Sequence, residues 1–191
     1  MQNKFIKDQL WNAAWRASTQ RGNIYSQNID KDTLKKFRKD IKKDVLEFID
    51  NNKDSLSEKA LLDKIKELSD QHSKNGISFK IGHSQKLLNL MLKYYWCLEW
   101  LKYIPPHCPI DRMILEVSKV KIDGKTPAWT KLNSIVKYKS IIKQIKDNKD
   151  IQCLSEWELK EYQAIIENKK KNKDYEKITI DFTMYPFDRM G

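Results

Sequence analysis

The stretch Ser84-Gln85-Lys86-Leu87-Leu88-Asn89-Leu90-Met91-Leu92-Lys93-Tyr94-Tyr95-Trp96-Cys97-Leu98-Glu99-Trp100 decides the fold. It is apolar on nearly every face at helical spacing, and such a helix belongs in the middle of a protein. It is also too short and too interrupted to span a bilayer. One polar stripe breaks it. Lys86, Asn89 and Lys93 stand at i, i+3 and i+7 and share a face. A lysine at the start of an otherwise buried helix has a plain explanation, an ammonium that snorkels to water at the helix end.

Outward from this centre the chain reads as helix almost throughout. Residues 4–17 place Phe5, Ile6, Leu10, Trp11, Ala14 and Trp15 at helical spacing, and a polar loop from Ser18 to Asp32 comes next. Thr33 caps a predicted helix to about Asn51, with Leu34, Phe37, Ile41, Val45 and Phe48 on one face. Ser57 caps the next, to about His72, with Leu61, Leu62, Ile65 and Leu68 buried. Ser73 to Ser84 is a polar turn holding Gly76 and Gly82.

Beyond the central helix, a loop with Pro105, Pro106 and Pro109 leads to a short helix starting near Pro109 or Ile110. Asp111 then sits in a first helical turn, where an acid suits the helix dipole. Asp123-Gly124 makes a turn, and Leu132, Ile135, Val136, Ile142 and Ile145 mark a helix of about Trp129 to Asn148. Ser155 with Glu158 spells a capping box for a helix to about Asn168. The tail from Lys177 to Phe187 alternates Ile178, Ile180 and Phe182 and reads as extended. The expectation is an all-α fold forming a single helical domain over residues 1–191.

Composition narrows the class. The chain has 191 residues, net charge +11, five Gly and five Pro. A real core can form, and neither a many-turned β-sandwich nor a Gly-rich nucleotide cradle is supported. The positive charge comes from 32 Lys and five Arg, which Lys-rich coding alone can produce. Its distribution says more. Residues 81–150 carry thirteen Lys/Arg against six Asp/Glu, which is +7, whereas residues 151–191 come to −1. A basic middle points to a polyanion such as nucleic acid. Cys97, Cys108 and Cys153 match no zinc or iron–sulfur spacing and read as free thiols of a cytoplasmic protein. No signal peptide, metal site or P-loop is read in the sequence.

Two segments together resemble a known family. Ile81-Gly82-His83-Ser84-Gln85-Lys86-Leu87-Leu88 is similar to the hairpin and second helix of the helix–hairpin–helix DNA glycosylases. Pro109-Ile110-Asp111-Arg112-Met113-Ile114-Leu115 is similar to the segment that carries their aspartate. The likeness covers about residues 57–120, and Ser84 stands where the family has its second hairpin glycine. The absence of a four-cysteine cluster makes it a version without an iron–sulfur cluster.

The resemblance implies two helical lobes around a cleft with a helix–hairpin–helix element. It implies a monomer that acts on DNA with no cofactor, metal or membrane. In that reading the nucleotide is extruded from the stack and its N-glycosidic bond is broken. Asp111 stabilises the oxocarbenium-like sugar or activates the nucleophile, the logic shared with glycosidases. Lys86 is the candidate Schiff-base nucleophile, which would add strand cleavage. Lys80, Gly82, His83, Ser84, Asn89 and Arg112 are the expected DNA contacts, with helix N-terminal N–H groups facing a phosphate. By analogy with phage-defence members, the base is a hypermodified one such as glucosylated hydroxymethylcytosine. Two other readings stand beside this one. One is a non-catalytic helical DNA-binding module using Gly82–Lys86 as a phosphate hairpin. The other is a toxin-like ribonuclease using His83 or His107.

Overall fold

The computed structural model describes residues 2–20 and 22–171, and they contain helices and no strand. In chain order these are α1 (Gln2–Thr19), α2 (Lys31–Asn51), α3 (Glu58–His72), α4 (Ile81–Cys97), α5 (Arg112–Val117), α6 (Ile135–Lys149) and α7 (Leu154–Lys171). A 3₁₀ turn, Trp129–Lys131, precedes α6. The all-α expectation holds. The chain divides into two compact units, residues 1–158 and 159–191. The second contains, among described residues, only the later part of α7. The tail expected to be extended, residues 177–187, lies outside the described residues.

In the first unit α4 is the central element its sequence predicts. It packs against α1, α3, the 3₁₀ turn and α6. Leu87, Leu88, Met91, Leu92 and Tyr95 are wholly enclosed, each apolar side chain contributing about 1.5–3 kcal/mol by leaving water. Around it the aromatic residues of α1 and α2 close the core. Trp11 stacks on Trp15 at 5.6 Å between ring centres, and Trp15 meets Phe37 edge-on and Phe79 face-on. The turn before α4 is pinned by backbone bonds from Ser26 N–H to Gly76 O and from Ser78 N–H to Ile24 O. Asn75 and Gly76 take the left-handed conformation there.

Several boundaries differ from the periodicity reading, each for a local reason. Asp30, not Thr33, caps α2, because its Oδ1 accepts the Thr33 N–H at 2.8 Å and starts the helix earlier. The helix expected over 129–148 is broken. Leu132 is extended and gives its carbonyl to Gly82, and Ser134 caps a fresh start at Ile135. Its buried face is Tyr138, Ile141, Ile142 and Ile145, which leaves Val136 exposed. The capping box expected at Ser155 and Glu158 does not form. Ser155 donates to the carbonyls of Pro105 and His107, and Glu158 pairs with Lys93. Tertiary partners outcompete the local cap. α4 begins at Ile81, so Gly82 and Ser84 lie within its first turn instead of in the preceding loop.

Candidate active site

The polar stripe of α4 is a clamp for the proline-rich loop. Gln85 grips Ile110 at both ends: its Oε1 accepts the Ile110 N–H at 3.0 Å and its Nε2 donates to the Ile110 carbonyl at 2.7 Å. Asn89 donates to the Cys108 carbonyl at 3.1 Å and to the Tyr138 hydroxyl at 3.0 Å. Lys93 reaches both carboxylate oxygens of Glu158, at 2.9 and 2.7 Å. Burial pushes the Glu158 carboxyl above the ordinary carboxylate value, and the Lys93 charge opposes it. All of these side chains are enclosed, so the register of residues 105–111 on α4 is fixed by bonds that water cannot replace.

A second chain of bonds runs outward from Asn89. Tyr138 accepts from Asn89, so its own proton goes to His107 Nδ1 at 3.0 Å. His107 Nε2 then donates to Glu58 at 3.0 Å. Burial lowers the His107 pKa below its ordinary value, although Glu58 pulls the other way. Both ring nitrogens are therefore committed and the ring is 1% exposed.

The clamp delivers Asp111 to a defined place. Asp111 is the N-cap of α5: its Oδ1 accepts from Met113 N–H at 3.0 Å and Ile114 N–H at 3.2 Å. Its Oδ2 lies 3.2 Å from Lys86 Nζ. The fold thus joins the two residues singled out in the sequence, 25 positions apart. The Lys86 side chain is 9% exposed and that of Asp111 27%, so solvent reaches the pair from the carboxylate side. The other side is closed by Trp129, whose ring centre is 4.5 Å from Lys86 Nζ.

Gly82 explains how Trp129 gets there. A Cβ built on Gly82 would lie 1.8 Å from the Trp129 carbonyl oxygen. The Gly82 N–H donates to Leu132 O at 2.9 Å. The glycine is needed because another stretch of backbone lies against the first turn of α4. The N–H groups of His83 and Ser84 donate to Lys80 O, and His83 Nδ1 accepts the Lys80 N–H at 3.3 Å. His83 Nε2 is enclosed without a partner among the described residues, and burial, then the Lys80 charge, lowers its pKa from 6.5 to about 4.

Of the residues expected to touch DNA, Gly82, His83, Ser84 and Asn89 are inside the protein. The phosphate-facing hairpin expected of them is corrected by this placement, since their N–H groups or side chains are occupied by the fold or covered. Lys80 is half-buried, and Arg112 is exposed and pairs with Glu116 at 2.7 Å. Exposed lysines on the segments flanking Trp129 include Lys119, Lys125, Lys131 and Lys137. Sequence reasoning missed Trp129, Gln85 and Tyr138. Gln85 and Tyr138 carry no periodic signal of polar function, and Trp129 was absorbed into a predicted helix.

Among the described residues no group of three or more His, Cys, Asp or Glu is placed to hold a metal ion. No helix among them is long and apolar enough to cross a membrane. No family model, no curated protein and no solved structure matches the chain.

Proposed function

We propose that this protein is a DNA N-glycosylase that removes a modified base, with Asp111 as its catalytic carboxylate. The observation that carries the reading is the 3.2 Å approach of Lys86 Nζ to Asp111 Oδ2, made by the two residues that the family resemblance singles out. The finer architecture, two helical lobes around a cleft with a helix–hairpin–helix element, belongs to this proposal.

The chemistry is set by the exposures. An extruded nucleotide meets the site from the open side of Asp111, because Trp129 covers Lys86. The carboxylate faces C1′ and offsets the positive charge that develops as the base departs; water then adds to C1′, and the proton it loses balances the one taken up by the departing base. Its other oxygen is held by two backbone N–H groups, so it is oriented before the substrate arrives. Lys86 Nζ is held between Asp111 Oδ2 and the Trp129 ring, away from the open side where C1′ would arrive. The expected reaction is therefore base removal without strand cleavage. The exposed lysines around Trp129, with Lys80 and Arg112, supply the phosphate contacts. Hypermodified bases of the kind found in phage DNA are the proposed substrates.

One observation favours a structural reading of the same pair. Asp111 already serves as the cap of α5, and Lys86 completes its hydrogen bonding. The binding-module and ribonuclease readings gain less: Gly82 offers no free N–H to a phosphate, and His83 and His107 are both enclosed.

The test is an incubation of the purified protein with duplexes that each carry one modified base, glucosylated hydroxymethylcytosine included. Alkali-labile sites with few spontaneous breaks, and no adduct trapped by borohydride, are expected. Absence of alkali-labile sites on every duplex would overturn the reading in favour of the structural one.

A further inference from the structure

A cavity of about 560 Å³ lies between α2, the end of α3 and the turn after it. Sites for small ligands run to roughly 300–1,000 Å³. Neither Lys86, Asp111 nor Trp129 lines it, so a ligand bound here is independent of the glycosylase reading.

The charged groups of the lining come from three elements. Lys36, Asp40, Lys43 and Asp44 stand at i, i+4, i+7 and i+8 along one face of α2. His72 closes the end of α3, and Lys74 stands in the turn. Asp44 is already used: its Oδ2 is 2.8 Å from His72 Nε2. This bond makes Nε2 the donor and fixes the ring, which also packs edge-on against Phe37 at 5.8 Å. His72 Nδ1 has no hydrogen bond within the described residues, yet it is not among the enclosed orphan atoms. It is the free atom of an oriented imidazole.

The lysines show an imbalance. Among the described residues Lys36 and Lys74 have no carboxylate within ion-pair distance, and Lys43 has only Glu47 at 3.8 Å. With Asp44 committed to His72, three ammonium groups face one remaining carboxylate, that of Asp40. On an ordinary surface, unpaired lysines are simply solvated. Here they converge on a concavity that also holds an oriented histidine and an apolar floor of Phe37 and Ile77.

We propose that this cavity binds a phosphate group carried on a nucleotide. The phosphate sits among Lys36, Lys43 and Lys74 as point charges. His72 Nδ1, the ring's acceptor once Nε2 donates to Asp44, accepts the hydroxyl proton of a monoprotonated phosphate. Asp40 accepts from a sugar hydroxyl or a base amino group, and the flat body of the ligand lies toward Phe37 and Ile77. The nucleotide is either free or part of a strand.

NMR of the His72 ring, assigned with the His72→Gln variant, reads the site directly. The probes are inorganic phosphate, a deoxynucleoside monophosphate, and a short single-stranded oligonucleotide without terminal phosphates. A saturable shift of the His72 signals is expected with the monophosphate, and a weaker one with inorganic phosphate. A shift as strong with the oligonucleotide identifies the strand as the source of the phosphate. Lys36→Ala combined with Lys74→Ala should weaken binding by about tenfold with an unchanged melting temperature, since both side chains are exposed. No saturable shift with any probe, or unchanged affinity in the double variant, overturns the proposal.

Discussion

Replacing Gly82 by alanine separates two accounts of the same glycine. In the middle of a helix this change normally stabilises, by about 0.5–1 kcal/mol. Gly82 lies in the first turn of α4 and its φ is outside the left-handed region, so nothing in its own backbone forbids alanine. The obstacle is the neighbour. The new Cβ would sit 1.8 Å from the Trp129 carbonyl oxygen, a backbone atom that cannot rotate away. The 3₁₀ turn must therefore lift. Lifting breaks the bond from Gly82 N–H to Leu132 O, worth about 1 kcal/mol. It re-exposes part of Trp129, now 4% exposed, at about 1.5–3 kcal/mol. It also removes the indole from Lys86, at roughly 0.5–2 kcal/mol. Against the propensity gain, the net loss is about 2–5 kcal/mol. Urea unfolding monitored by tryptophan fluorescence measures it. A phosphate-binding hairpin predicts the reverse pattern, with stability kept or raised and DNA affinity reduced. Stability of Gly82→Ala equal to the parent would refute the docking account of Trp129.

Acid should weaken the fold through His83. Its folded pKa of about 4 lies below the ordinary 6.5, so the unfolded chain takes the proton first. Stability is then lost as pH falls from about 6.5 to about 4, by up to ~3 kcal/mol. Unfolding of His83→Phe across that window should show correspondingly less acid loss, and parallel curves would contradict this. Tyr138→Phe leaves His107 Nδ1 without its donor and should cost about 1–3 kcal/mol in the same unfolding assay. A neutral result would mean that the chain from Asn89 to Glu58 does not hold the fold. Glu158→Gln removes the buried carboxylate from Lys93 and should cost about 3–5 kcal/mol, whereas Lys93→Met with Glu158→Leu should come close to the parent. A single variant as stable as the parent would show that the pair is not enclosed in solution.

The helices were legible because burial imposes a period. The central position of α4 was readable from apolar residues on every side, and Ser57 was readable as a cap because its Oγ does accept the Ala60 N–H, at 3.1 Å. The features that escaped the sequence depend on contacts distant along the chain. Ser155 and Glu158 spell a local cap, but Pro105, His107 and Lys93 claim them across at least 48 positions. The break at Leu132 comes from α4 and leaves no mark in residues 129–148 themselves. For the site, Lys86 and Asp111 were found as residue types in a familiar order. The roof over them was not, because a tryptophan has the same signature in a core as over an ammonium group. Gly82 was singled out as a hairpin glycine facing a phosphate, whereas the close backbone that requires it belongs to the 3₁₀ turn.

The central claim is that Asp111 performs chemistry as well as capping α5, and Asp111→Asn tests it. Asparagine caps a helix about as well as aspartate, so the variant keeps the start of α5 while losing the charge. The measurement is single-turnover base release from the best modified duplex, with DNA binding and unfolding recorded on the same samples. The account predicts a folded, DNA-binding variant whose release rate falls by at least about 10²-fold. Base release at the parent rate by folded Asp111→Asn would contradict it and leave the Lys86–Asp111 contact as a structural ion pair.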